Sequence, residues 1–287
     1  MDRSDVAELA RHLGLGRHAD AIASVALESY RLQPFDGTVD EFGTHLGGRP
    51  AVPADFDWPI WQDRPLAFVG QVRLEELGRL GGDFGLPEAG LLSFFFEAEQ
   101  QPWGFDPADA GGARVLWFSS GELVVEDLPA NLVDWARFTG RPVRMTTEWT
   151  VPSIVAPEID AITVAARQAI DSEQFERLRE QLAGIGSDQD ATIHRLFGHA
   201  DEIQNEMRLE CVFATSGVYV GNPEGYNHPH RAEFKRQALD WQLLLQLDSD
   251  ELLGTEFGDV GRIYYWITRQ AVADRAFDRA WQILQCY

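Results

Sequence analysis

One stretch of this chain is written twice, and that repetition constrains the fold more than any other feature. Residues 243–268 read LLLQLDSDELLGTEFGDVGRIYYWIT, while FVGQVRLEEL begins at Phe68 and GLLSFFFE at Gly90. Laid over each other, Gln71 aligns with Gln246, Val72 with Leu247, Leu77 with Leu252 and Gly90 with Gly261. Each copy runs apolar strand, Gln, acidic turn, Gly-rich loop, Gly, aromatic strand. A further echo lies upstream of each, Leu46-Gly47-Gly48 and Leu196-Phe197-Gly198. The pattern predicts an α+β fold, internally duplicated, with mostly antiparallel sheet in two related halves and with peripheral and connecting helices. The halves are expected at residues 1–152 and 153–287, packed as one body around a shared centre.

Periodicity places the other elements. Val6, Leu9, Ala10 and Leu13 predict a helix with Ser4 as its N-cap, and Ile22, Val25, Ala26 and Tyr30 predict a second. Residues 34–64 are dense in Gly and Pro yet hold Trp58 and Trp61, which predicts an irregular loop packed on the following sheet. Strands are expected at Leu66–Leu74, Leu91–Glu97, Arg114–Ser119, Leu123–Glu126 and Pro142–Thr150, with a short helix at Asn131–Phe138. Short connections favour antiparallel pairing. Pro152–Pro157 marks the boundary. Glu158–Ala183 reads as helix with a break near Ser172, ended by Gly184-Ile185-Gly186. In the second half, strands are expected at Cys211–Val220, Trp241–Leu247, Ile263–Ile267 and Trp281–Tyr287. A helix is expected at Arg231–Leu239, and Thr268 is expected to cap a short one.

With 45% apolar and 11% aromatic residues over 287 positions, the chain can bury a sizeable core. No apolar run reaches the roughly 20 residues needed to cross a bilayer, and the start MDRSDVAELARHLG lacks the apolar segment of a signal peptide. A cytoplasmic location is the expectation. Cys211 and Cys286 make no disulfide framework and are expected to be buried and reduced. The formal charge is −22, from 46 acidic against 24 basic residues. Such a field opposes nucleic acid and anionic membranes and favours a basic protein partner. Lys235 is the only lysine. A general compositional bias is therefore the simpler origin of the charge, which bears on solubility more than on fold.

The motifs PLAFVGQVRLEEL, WGFDPADAGGARVLWF, HRLFGHADEIQNE, LLLQLDSDE and EFGDVGRIYYWI, in this order, resemble the YwqG-like family of bacterial proteins over roughly Gly43 to the C-terminus. The family is a domain of unknown function, so the resemblance implies a duplicated α+β body rich in antiparallel sheet and supplies no catalytic residue. Relatives often read Gly-Gly-Tyr-Pro where this chain has Phe197-Gly198-His199-Ala200. Some relatives occur in toxin and immunity neighbourhoods, which implies a toxin-neutralising or partner-regulating role.

Several constellations bear on chemistry. On strands of period two, Gln71 with Arg73 and Gln246 with Asp248 share faces. Around a pseudo-twofold axis they would floor a ligand cleft between the halves, or cross-link the halves through amide hydrogen bonds. His194, His199 and Asp201 lie near one Gly-containing loop; with Glu202 as base, a metal-assisted hydrolase can be drawn. His228 and His230 form a His-x-His spacing compatible with a divalent metal, outside any recognised signature. Surface-loop histidines without a ligand are commoner. The acids at 248–251 and 256–259 read first as turns, with Asp250 starting one and Asp259 in another. Arg114 and Asp259 complete the candidate ligand-binding set. Neither a nucleophile elbow nor a phosphate loop is present, and no cofactor is implied.

The function expected is a non-catalytic binding or interaction protein using the cleft between its halves. The alternative is a metal- or His/Asp-dependent hydrolase built from second-half histidines and acids.

Overall fold

Apolar runs rich in aromatic and β-branched residues become strands here because such side chains pack well on a pleated, half-buried surface. The computed structural model describes residues 1–82, 84–119, 121–184 and 192–287. Its main sheet has ten strands, numbered in chain order: β1 (Leu27–Pro34), β2 (His45–Leu46), β3 (Ala67–Arg73), β4 (Leu91–Phe96), β5 (Ala113–Phe118), β6 (Arg141–Thr150), β7 (His194–Leu196), β8 (Trp241–Asp248), β9 (Arg262–Thr268) and β10 (Trp281–Gln285). They lie side by side in the order β10-β9-β8-β7-β1-β6-β2-β3-β4-β5, with antiparallel pairing throughout. Two small ribbons, Ala51–Pro53 with Leu123–Val125 and Ile60–Trp61 with Arg64–Pro65, stand apart.

The two flanks of the sheet carry the same local features. β3 slips against β4 between Phe68 and Gly70, and β8 slips against β9 between Leu243 and Leu245. Gly47 and Gly48 take φ of +61° and +77°, and Phe197 and Gly198 take +59° and +74°. Gly47 donates its N–H to Val69 O, and Phe197 donates to Leu244 O. In the middle, β1 pairs with β6 on one side and β7 on the other, while β6 continues to β2.

The sheet curls until its flanks meet. Phe94 on β4 and Tyr265 on β9 stand 5.3 Å apart, centroid to centroid, edge to face. The Tyr265 hydroxyl donates to Phe95 O at 3.2 Å. Val69, Val72, Phe94 and Phe96 from one flank share a single apolar cluster with Leu244, Leu245, Leu247 and Tyr265 from the other. The shared centre is thus a packed core.

Eight α-helices are assigned among the described residues: α1 (Arg3–His12), α2 (Ala19–Val25), α3 (Leu74–Gly78), α4 (Pro157–Ala166), α5 (Ser172–Ala183), α6 (Arg208–Thr215), α7 (Arg231–Ala238) and α8 (Arg269–Ala273). Val6, Ile22, Ile159 and Phe175 cluster α1, α2, α4 and α5 against Val151, just after β6. Phe213 and Phe234 set α6 and α7 on Leu243, Tyr264 and Ile283. Phe56 and Trp58 of the irregular 34–64 loop pack on Phe95, as expected. No helix among the described residues is long and apolar enough to cross a membrane.

Four expectations need correction. The second helix stops at Val25 because Ala26 is extended (φ −66°, ψ 140°), so Tyr30 lies in the central strand β1. Residues 208–215 form helix α6 where a strand was expected. Its apolar run is too short to distinguish the two by period, and Met207, Cys211 and Ala214 all turn inward. The cap of α1 is Asp2, which forms a reciprocal capping box with Asp5. Asn131–Phe138 holds only a 3₁₀ turn at Asp134–Ala136. The break near Ser172 is present, with Arg167 left-handed at φ 52° and Asp171 capping α5. Gly184 ends α5 at φ 66°; Ile185 and Gly186 of the expected terminator lie outside the described residues.

Candidate functional site

The two repeated glutamines do not converge. Val69 and Val72, like Leu244 and Leu247, point into the shared core, so with a period of two and one bulge Gln71 and Gln246 point outward from it. Gln71 is fully buried; its Oε1 accepts from Ala51 N at 2.9 Å, and its Nε2 donates to Glu41 O and Gly43 O at 3.0 and 2.9 Å. Gln246 is equally buried; its Oε1 accepts from Asp201 N at 2.9 Å, and its Nε2 donates to Ile193 O and Asp201 Oδ2 at 2.9 and 3.0 Å. The cross-strand neighbours are His45 and Arg195 respectively. Each amide thus accepts from the residue six beyond its neighbour and donates to the carbonyl two before it. Each side chain clamps a loop of its own flank, and neither floors a cleft nor bridges the flanks.

The second-half candidates form a charged cluster. Arg31 and Arg195 are cross-strand partners on β1 and β7. Glu148 takes Arg31 at 2.8 Å and Arg195 at 3.4 Å. Asp201 takes Arg195 at 3.1 Å and Arg179 of α5 at 3.3 Å. Asp248 takes Arg262 at 2.9 Å and accepts from Ile193 N at 3.0 Å. Burial alone would raise the Asp201 carboxyl, but Arg195, Arg179 and Arg262 outweigh it and hold the group down to about 2. Charges taken from water this completely must be paired, and these pairs tie β1, β6, β7 and α5 together.

His194 belongs to the same cluster and is 1% exposed. Its Nδ1 accepts from Asp248 N at 3.0 Å, which places the ring proton on Nε2, and Nε2 donates to Asp250 Oδ2 at 2.9 Å. Asp250 also accepts from Leu252 N at 2.7 Å, the turn role expected of it. His199 donates from Nε2 to Val25 O at 2.8 Å, and burial pushes it down to about 4.

The remaining candidates lie apart. Arg73 donates to Phe42 O at 2.6 Å on the first flank. Arg114 is exposed on β5, and Asp259 is exposed in its turn. His228 and His230 stand 5.5 Å apart, and His228 stacks on Phe234 at 5.2 Å. No group of three or more His, Cys, Asp or Glu among the described residues is placed to hold a metal ion.

A cavity of about 470 Å³ opens beside Trp149 and Phe197. Of the polar side chains that line it, Arg3 and Arg269 donate to Ala26 O and Leu239 O, while Glu28 and Gln242 stand on the same wall.

A second cavity, of about 600 Å³, lies between α4, α6 and α7. Glu210 on α6 lines it and is 3% exposed. Its Oε1 accepts from the Tyr226 hydroxyl at 2.7 Å, and its Oε2 has no hydrogen-bond partner among the described residues. Burial pushes this carboxyl up to about 7. Arg208 on the same wall is held by both oxygens of Glu158, at 2.7 and 2.9 Å, and by Glu206. Val155 and Leu239 line the cavity and are largely exposed. Sequence reasoning missed Glu210 because the segment was expected to be a strand. Read as a helix, Met207, Glu210, Cys211 and Ala214 fall on one face, and a lone acid on that face is the signal.

A family model described as a domain of unknown function (DUF1963) matches residues 44–286. No curated protein matches the chain at a significant level.

Proposed function

We propose, from the premise that this chain belongs to the DUF1963 family, that the protein is a non-catalytic binding protein whose ligand enters the cavity between α4, α6 and α7. One observation carries the reading: Glu210 is 3% exposed in the cavity wall, with Oε2 unpartnered among the described residues. A buried acceptor left unmade costs about 1–3 kcal/mol, which a bound donor would recover. A buried polar group without a partner calls for an explanation, and a ligand that supplies the donor is one.

Within the family, we read the chain as YwqG-like and internally duplicated. The matching bulges, left-handed residue pairs and glutamine clamps on the two flanks support that reading. The sheet order supports it too, because β1 to β5 and β6 to β10 then mirror each other with their first strands exchanged. A toxin-neutralising or partner-regulating role suits the charge of −22, which draws basic partners. Binding is favoured over a hydrolase built on His194, Asp201 and Asp248 because both nitrogens of that histidine are committed and both aspartates are engaged by arginines.

The test is a fragment screen by ligand-observed NMR on wild type and on Val155→Trp, which plugs the rim at a position 62% exposed. Ligands that bind wild type and are lost in the variant are expected. Bound fragments indifferent to the plug, or none at all, would overturn the reading.

A further inference from the structure

We infer that this cavity takes a primary ammonium group on an apolar stem, with Glu210 as its counter-ion. The inference rests on the binding function proposed above. Glu210 offers one acceptor, because Tyr226 occupies Oε1 and Oε2 is unpartnered among the described residues. A single acceptor suits a compact donor; a guanidinium, with its planar fork, seeks two.

Charge selects the cation over a neutral hydroxyl. Asp160, Glu206 and Glu210 line the cavity against Arg208 and Lys235. Arg208 is already engaged by Glu158 and Glu206, so it does little to neutralise Glu210. The Lys235 side chain, from α7, makes no hydrogen bond or ion pair among the described residues and is the group that competes with an incoming ammonium. The exposed side chains of Val155 and Leu239 give an alkyl stem a surface to lie on. Tyr226 and Glu206 act on Glu210 directly, and Arg208 of the same helix, Asp160 from α4 and Lys235 from α7 share the cavity with it. Of these, Glu210 itself, held up at about 7, sets the pH dependence: ammonium binding needs the carboxylate, so affinity rises from pH 6 to pH 8.

The shared chemistry could come from a free alkylamine or from a lysine side chain of a basic polypeptide. Isothermal titration calorimetry of n-pentylamine, 1-pentanol and an N-acetyl-lysine amide peptide against wild type, Glu210→Gln and Lys235→Met tests it. At pH 8, wild type is expected to bind an amine at least about tenfold more tightly than the alcohol, as a charge-assisted bond requires. Pentylamine binding alone assigns a small amine, and peptide binding alone assigns a polypeptide; either supports the ammonium class. Glu210→Gln should lose the preference while melting cooperatively, and Lys235→Met should tighten amine binding. Pentanol bound as tightly as the amines, or amine affinity unchanged in Glu210→Gln, overturns the ammonium class and leaves the binding function standing. No binding of any probe, together with a failed fragment screen, overturns both.

Discussion

Buried polar side chains on the outer side of the sheet hold its loops. Gln246 satisfies a backbone amide, a backbone carbonyl and the Asp201 carboxylate at once. Gln246→Ala should cost about 2–3 kcal/mol, because several buried groups lose their partner together, and urea unfolding will measure it. Glu210 behaves oppositely with pH. Its carboxyl is raised to about 7 from 4.5, so the folded chain keeps a proton that the unfolded chain releases. That contribution favours folding at low pH and is lost as pH rises toward 7. Glu210→Gln should therefore gain on wild type by about 3 kcal/mol between pH 5 and pH 8, read from paired urea titrations. An unchanged difference would show that Glu210 does not titrate as a buried acid.

At the scale of elements, β1 matters most. The family match begins at residue 44, yet Leu27–Pro34 lies between β6 and β7 in the middle of the sheet. A chain shortened to residues 44–286 would leave two interior strands with bare edges and should fail to melt cooperatively or stay soluble, as calorimetry and size exclusion will show. β1 was not legible in the sequence because ASVALESY continues a helical spacing. Only Ala26, turning extended, separates α2 from the strand, and tertiary pairing decides that. The strands at 91–96, 241–248 and 262–268 were legible, since LLSFFF and RIYYWIT carry their burial in their composition. Phe197 is the local rule-breaker: it is left-handed at φ +59° where the first flank has Gly47, and its ring stacks on Phe84 at 4.3 Å. A non-glycine residue there costs about 1–2 kcal/mol, which its burial offsets.

For the molecule as a whole, the sequence signalled a shared centre but not what fills it. The alternation around Gln71 and Gln246 left open which face turns inward, and a cleft and a core require opposite answers. Leu244, Leu245 and Leu247 against Val69, Val72 and Phe94 decide for the core. The candidate cavity therefore sits on a helical flank, where the residues that make it come from three separated segments and no single motif announces it. The interleaving of β1 has a consequence for synthesis. Leu27 finds its neighbour Thr150 only after half the chain has been made, and Leu32 meets His194 later still. A nascent chain must therefore carry this strand unpaired until half of the chain has been made, so assembly waits on the ribosome and the slow closure of distant contacts.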